Sequence, residues 1–215
     1  MRVLLFHGEN HRFSDCVPVL QEILARPAGA EVVLTENRRA FRDGEAQNFD
    51  VFVLGSGFTR VERQPDGTAR RVPEFEEEDL EALLAWVAGG KGFVGLHGTA
   101  WWIGGRAYDL VGGHANWHPP GLRFIVEPNE AHPVTAGLPS FEVEDEIYMC
   151  AWEPELTILA QAEWQGRKFP VAWCRPFGAG RVFYTALGHS PATFRPPTMG
   201  ELMIRGTRWA AECQG

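Results

Sequence analysis

The sequence predicts an α/β protein with a mostly parallel sheet, helices on both faces and additional antiparallel strands toward its C-terminal end. Three observations predict it. Short, almost wholly apolar runs such as "RVLLF", "GFVGL" and "RVFYTALG" have the composition of strands buried on both faces. In the N-terminal half these runs alternate with amphipathic helical spacings, the pattern of parallel strands joined by crossover helices. Beyond Gly121 the strand-like runs follow one another with only turns between them, so some must pair antiparallel.

Taken in order, "RVLLF" ends at His7-Gly8 and predicts a first buried strand. Val19, Leu20, Ile23 and Leu24 recur at helical spacing and predict a helix over 15–25, stopped before Pro27. "AEVVLT" and "FDVFVLG" read as the second and third strands. The polar, Arg-rich stretch 59–73, with "PDG" as a turn signal, reads as a long mobile loop. Leu80, Leu83, Leu84 and Val87 share one face of a helix over 75–87, with Gly89-Gly90 as its stop, and "GFVGL" is the fourth strand. "LRFIVE", "SFEVEDEIYM", "LTILAQAEW", "FPVAWC" and "RVFYTALG" supply the later strands, and a closing helix spans about 199–211. No internal repeat interrupts this order, and residues 1–215 read as a single domain.

Composition narrows the function. A chain of 215 residues that is 45% hydrophobic can bury one sizeable core. Its net charge of −8 leaves no basic surplus for a nucleic-acid backbone. No run is long and apolar enough to span a membrane, and the N-terminal apolar run is too short for a signal peptide. Cys16, Cys150, Cys174 and Cys213 form no C-x-x-C pair, so reduced thiols in a cytoplasmic protein are expected. Base rates for soluble proteins add a homodimer to these expectations.

In an open α/β sheet the ligand crevice lies beyond the carboxyl ends of the strands. Three of the seven histidines stand at such ends, His7, His97 and His189. One alone is ordinarily a satisfied structural residue; three point to a shared site. His97, in "GLHG", occupies the strand-to-helix turn where α/β hydrolases present a Ser or Cys nucleophile. The helix dipole should hold it neutral, and Gly95 and Gly98 should leave space around it. A neutral imidazole can act as a base, polarise a carbonyl or bind a metal. The alternative is an imidazole that caps the helix and bonds to backbone.

"FEVEDEIY" carries a second signal. Asp145 falls on the apolar face with Phe141, Val143 and Ile147, so either a bulge re-aims it or the strand ends there beside a site. Glu146 and Tyr148 share the other face with Glu142 and Glu144, which reads equally as a solvent-facing row. Between these signals the Gly/Pro-rich "GGHANWHPPG" places His114 and His118 on a loop able to close over the sheet edge. Trp101, Trp102 and Trp117 could offer flat faces to a sugar ring, core packing being the alternative for at least one of the tandem pair.

Together, "GGKGFVGLHG", "AHPVTAGLP", "DEIY", "PVAWCRPFGAGRVFYTALGHSPATF" and "GTRWAA" resemble the ThuA-like, or trehalose-utilisation, family over nearly the whole chain. The resemblance implies a flavodoxin-like fold similar to class I glutamine amidotransferases. Those enzymes carry a cysteine at the elbow and a carboxylate two residues after the later histidine; here His97 and Pro191 stand at those positions, so a glutaminase triad cannot be assembled. The resemblance further implies disaccharide catabolism with 3-keto sugars as substrates, by a lyase-hydrolase or an isomerase reaction. In that scheme His97 or Glu146 is the base, His189 the acid or a ligand, and Asp145 an orienter. His7, His118, Tyr148, Trp102 and Trp117 are the substrate contacts, with His11 competing with His7 for the crevice. A divalent metal, zinc or manganese, held by His97, His189 and a carboxylate would polarise the keto oxygen. The other readings are a non-catalytic sugar-binding or regulatory protein and a metal-dependent hydrolase of another small polar substrate.

Overall fold

A computed structural model of the chain describes residues 1–8, 13–101 and 106–212. Of the residues singled out above, His11, Trp102 and Cys213 lie outside the described residues.

The chain runs β1 (Arg2–Phe6), α1 (Phe13–Ala25), β2 (Glu31–Thr35), β3 (Val51–Leu54), β4 (Thr59–Arg63), β5 (Ala69–Pro73), α2 (Glu77–Ala88) and β6 (Gly92–Leu96). After a one-turn 3-10 segment (His97–Ala100) come α3 (Ala107–Val111), β7 (Gly113–Trp117), β8 (Leu122–Pro128), β9 (Phe141–Asp145) and β10 (Met149–Trp152). The chain then continues through β11 (Thr157–Trp164), β12 (Arg167–Phe177), β13 (Gly180–Thr185), a second 3-10 turn (Pro191–Phe194) and α4 (Pro197–Ala211). Nine strands form one sheet in the order β2-β1-β3-β6-β13-β12-β11-β8-β9. The half from β2 to β13 is parallel, in the flavodoxin-like order; the strands from β12 to β9 extend it antiparallel.

Two apolar layers explain the unbroken hydrophobicity of the central strands. Val3, Leu5, Val51, Val53, Val94, Leu96 and Phe183 pack with α1 and α4 on one face. Leu4, Phe6, Phe52, Leu54, Phe93, Val182 and Tyr184 pack with α2 and α3 on the other. Successive residues of a strand point to opposite faces, so a strand covered twice has no polar position to spare. No helix among the described residues is long and apolar enough to cross a membrane.

Two segments depart from the sequence-based expectation. Residues 59–73 are a hairpin rather than a loop: β4 pairs with β5 from Thr59↔Pro73 to Arg63↔Ala69. The "PDG" turn closes it, with Asp66 accepting the Thr68 N–H at 2.9 Å and Gly67 at φ +84°. Arg60, Arg63, Arg70 and Arg71 leave too few apolar residues in the two strands to show a period-2 pattern. The segment 112–121 is likewise not all loop, because β7 pairs antiparallel with β10 in a separate two-stranded ribbon.

Register sets up the crevice. β13 pairs with β6 so that Thr185 lies opposite Leu96, which brings His97 and the residues after Thr185 to the same level at the carboxyl rim. β9 stands four places from β13 in the sheet, about 19 Å in a flat sheet at the usual strand spacing. Yet its last residue, Asp145, accepts the Gly188 N–H at 2.8 Å. The antiparallel half must therefore curl back over the rim, helped by register shifts in β11 near Ala160.

None of Cys16, Cys150 and Cys174 is in a disulfide. Burial pushes the Cys150 and Cys174 thiols up to about 12 from an ordinary 9.0. A neutral thiol favoured in the folded state contributes stability fully below pH ~9 and loses it as pH rises through the folded value. Denaturant titrations should accordingly show unfolding free energy falling between pH 9 and 12, and the fall should shrink in Cys150→Ala/Cys174→Ala. A second test concerns the elbow: Gly57 has φ +90°, and a Cβ there would lie 2.5 Å from the Gly98 carbonyl oxygen. Gly57→Ala should cost at least about 2 kcal/mol in urea unfolding.

Candidate functional site

The carboxyl rim between β6 and β13 gathers His97, His189, Asp145, Glu146, Tyr148 and His118 from four separate segments. His97 opens the 3-10 turn after β6 with φ +40°, a left-handed conformation costly for a residue with a Cβ. Its surroundings hold it there. The Tyr184 hydroxyl donates to the His97 carbonyl at 2.8 Å, and the Thr99 hydroxyl donates to the Leu54 carbonyl at 2.7 Å while accepting the Leu96 N–H at 3.1 Å.

Two expectations about His97 need correction. It precedes one 3-10 turn of four residues rather than a long helix, so the helix dipole is not what fixes its state. Gly95 opens no space either: a Cβ there would press on Thr99 and Tyr184, and His97 itself is only 2% exposed. What fixes the ring is a carbonyl. Nδ1–H donates to the Ala186 oxygen at 2.7 Å, and an oxygen there can only accept, so in the neutral ring Nε2 carries the lone pair. Nε2 accepts from the Tyr148 hydroxyl at 2.8 Å and lies 3.3 Å from His189 Nδ1. The backbone-bonded reading of this imidazole therefore holds at Nδ1, while Nε2 faces side chains of the rim.

Asp145 is where β9 ends, as its place on the apolar face allowed. One oxygen accepts the Gly188 N–H at 2.8 Å, the His189 N–H at 3.4 Å and the Thr193 hydroxyl at 2.6 Å; the other accepts the Glu146 N–H at 2.7 Å. Burial raises its pKa, against the pull of those four donors. Chain direction changes after Asp145, and this separates Glu146 and Tyr148 from the exposed Glu142 and Glu144 with which they share strand parity.

Glu146 is 7% exposed and stands among three imidazoles. Oε1 is 3.3 Å from His189 Nδ1, and Oε2 is 3.5 Å from both His97 Nε2 and His118 Nε2. Burial raises its pKa first of all, opposed by the neighbouring His189 and His118. Tyr148 is held well above the usual phenol range by burial and by the charges of Glu146 and Asp145, so it remains a hydrogen-bond donor. His118 follows β7, whose pairing with β10 sets Trp117 opposite Met149 and brings the His118 and Tyr148 rings to 5.6 Å. Trp101 packs edge-on against both, at 6.1 and 5.7 Å.

The remaining candidates lie elsewhere. His7 continues the β1–β2 ladder through its N–H to Thr35 and pairs with Glu36 at 3.2 Å, with β3 between it and β6. Trp117 points away from His118, is 53% exposed and packs near Trp164 with ring centroids 6.0 Å apart. Sequence reasoning missed Thr193, Tyr184 and the Ala186 carbonyl, the groups that hold Asp145 and His97. Only their nearness in sequence to His189 could have suggested them.

His97, Glu146 and His189 each offer one ligand atom within 4.8 Å of the others. A parallel sheet in the 2-1-3-4-5 order, with an imidazole at the strained elbow and a carboxylate between two further imidazoles, defines a flavodoxin-like protein with a histidine- and carboxylate-lined rim. The chain belongs to the ThuA family, described as trehalose utilisation, whose model matches residues 2–210. No curated protein matches it.

Among solved structures, a protein from Parabacteroides merdae described as ThuA-like superposes with a TM-score of 0.77 at 18% identity, covering 100% of this chain and 91% of that one. One from Bacteroides uniformis gives 0.72 at 19% identity over 98% and 91%. A β-galactosidase from Bacillus circulans gives 0.63 at 15% identity over 94% of this chain and 30% of that one. At such identities the likeness is one of fold.

Removing the Asp145 carboxylate should leave the Gly188 N–H and the Thr193 hydroxyl buried without an acceptor. Asp145→Ala is expected to cost about 3–5 kcal/mol in urea unfolding, and Thr193→Val about 1–2 kcal/mol.

Proposed function

We propose that this protein is an intracellular enzyme of disaccharide catabolism that cleaves 3-keto glycosides by acid–base chemistry. The observation that carries the reading is Glu146, a carboxylate of raised pKa at the crevice rim with His189 and His118 on either side. A general base works best when its pKa is drawn toward the operating pH. Exposure assigns the order of contact: the His189 and His118 side chains are 35% and 31% exposed and Glu146 stands just behind them. His97, at 2% exposure and bonded to Tyr148, is the inner support. Of the two bases expected from sequence, this arrangement favours Glu146.

A keto group at C3 acidifies the C2 hydrogen. Glu146 takes that proton, and the C–H electron pair passes into the C3 carbonyl as an enolate. The enolate then expels the C1–O glycosidic bond, His189 giving its proton to the departing oxygen. The C1=C2 enone that results adds water at C1 and regains a proton at C2, so the net change is hydrolysis. Asp145 holds the Glu146 and His189 backbones in register throughout. Family membership supports the substrate class, and the chemistry itself rests on the site.

Incubation with 3-keto-trehalose should release glucose and 3-keto-glucose, and reaction in D2O should place deuterium at C2. Glu146→Gln and His189→Ala should each lower kcat by at least about 100-fold, while Glu201→Gln on α4 leaves it unchanged. Saturable binding with neither release nor deuterium exchange would replace this reading with a non-catalytic sugar-binding protein.

A further inference from the structure

Among the described residues, the rim holds a feature that acid–base chemistry alone does not account for. His118 Nδ1–H donates to the Pro119 carbonyl at 2.8 Å, as His97 Nδ1–H does to Ala186 at 2.7 Å. Both rings, when neutral, therefore turn a lone pair toward Glu146 Oε2, each Nε2 being 3.5 Å away. That oxygen is buried and has no hydrogen-bond partner. The Tyr148 hydroxyl already serves the His97 lone pair, but Oε2 has no hydrogen donor, and a buried carboxylate oxygen without one is unfavourable unless something positive lies beside it.

Spacing says what kind of positive group fits. Hydrogen-bonded N–H···O pairs close to about 2.7–3.2 Å. Here the separations are longer: His97 Nε2 to His189 Nδ1 is 3.3 Å, and the carboxylate faces each imidazole with a different oxygen, Oε2 at 3.5 Å from His97 Nε2 and Oε1 at 3.3 Å from His189 Nδ1, one ligand atom from each residue lying within 4.8 Å of the others. Four ligands at the usual zinc distances of about 2.0–2.1 Å stand roughly 3.3–3.4 Å apart on a tetrahedron. The second shell is also in place. The Ala186 carbonyl holds the His97 tautomer that leaves Nε2 as the ligand atom, the usual arrangement of a metal-bound histidine.

We propose that His97 Nε2, His189 Nδ1 and a Glu146 oxygen form a site for one divalent ion of the zinc class. It would keep its fourth position open to water or to a substrate oxygen, as three-ligand sites do. His189, half-exposed, presents Nδ1 as a ligand once its proton sits on Nε2. Without the ion, the Tyr148 hydroxyl occupies the His97 lone pair, so Tyr148 competes with it. The inference rests on the site read above as catalytic, and binding is measured apart from turnover.

The test is titration of EDTA-dialysed protein with Co2+, following its visible d–d absorption, then displacement by Zn2+. One Co2+ per chain with a tetrahedral spectrum is expected, and one equivalent of Zn2+ should abolish the spectrum. Glu146→Gln and His189→Ala, each checked for folding by circular dichroism, should weaken Co2+ at least tenfold, with Glu201→Gln unchanged. Tyr148→Phe should bind Co2+ as tightly as the parent or more so, an outcome that a purely structural role for the hydroxyl does not predict. Absence of saturable Co2+ binding, or equal binding by the Glu146 and His189 variants, overturns the proposal. Cobalt bound at full stoichiometry without keto-sugar turnover supports the metal site and defeats the catalytic reading alone; turnover without cobalt binding does the reverse.

Discussion

The Asp145 carboxylate is the joint on which the rim depends. It is buried at the end of the edge strand β9, four strands from β13, and it takes donors from the turn after β13, from the following 3-10 turn and from its own neighbour. A buried carboxylate tolerates its loss of water only when such donors replace the water. The demand runs both ways, because the Gly188 N–H and the Thr193 hydroxyl need that acceptor as much as it needs them. The pairing holds the end of β9 against the turn after β13. With the curl come Glu146 and Tyr148, carried over the crevice.

How much of this could be read from residues follows from how local each cause is. β1, β6 and β13 were legible because a strand covered on both faces has a composition nothing else imitates. His97 was legible because a strand-to-turn junction flanked by glycines is a local signal. The hairpin β4–β5 was not, since its strands carry Arg60, Glu62, Arg63, Arg70 and Arg71 and too few apolar residues to show a period. Glu146 and Tyr148 could not be separated from Glu142 and Glu144, because parity along a strand says nothing once the strand has ended. The cause of their burial is Asp145 and its distant partners, and no window around residue 146 contains those.

The same distinction applies to the imidazoles. Three strand-end histidines looked equivalent in sequence, yet register and strand order separate them. β6 and β13 are neighbours ending level with each other, so His97 and His189 meet; β1 is on the far side of β3, and His7 turns to Glu36. The helix-dipole argument for His97 looked to the wrong cause. One 3-10 turn cannot supply the field, whereas a carbonyl at 2.7 Å dictates which nitrogen bears the proton.

The strain at the elbow is intelligible in these terms. At φ +40° the His97 side chain leaves the sheet so that one nitrogen meets the backbone after β13 and the other meets Glu146 and His189. A β or right-handed α conformation would aim the ring along a different direction and break one of those two engagements. The protein holds the costly geometry with Tyr184, Thr99 and the close approach of Gly57, groups that themselves stand behind the rim. The elbow withdraws an imidazole to 2% exposure, with the Glu146 carboxylate and the partly exposed rings in front of it. A group so withdrawn cannot meet a substrate carbon directly. Its effect must pass through what it touches: the Tyr148 proton, the Glu146 carboxylate, and any ion seated between Glu146 and His189.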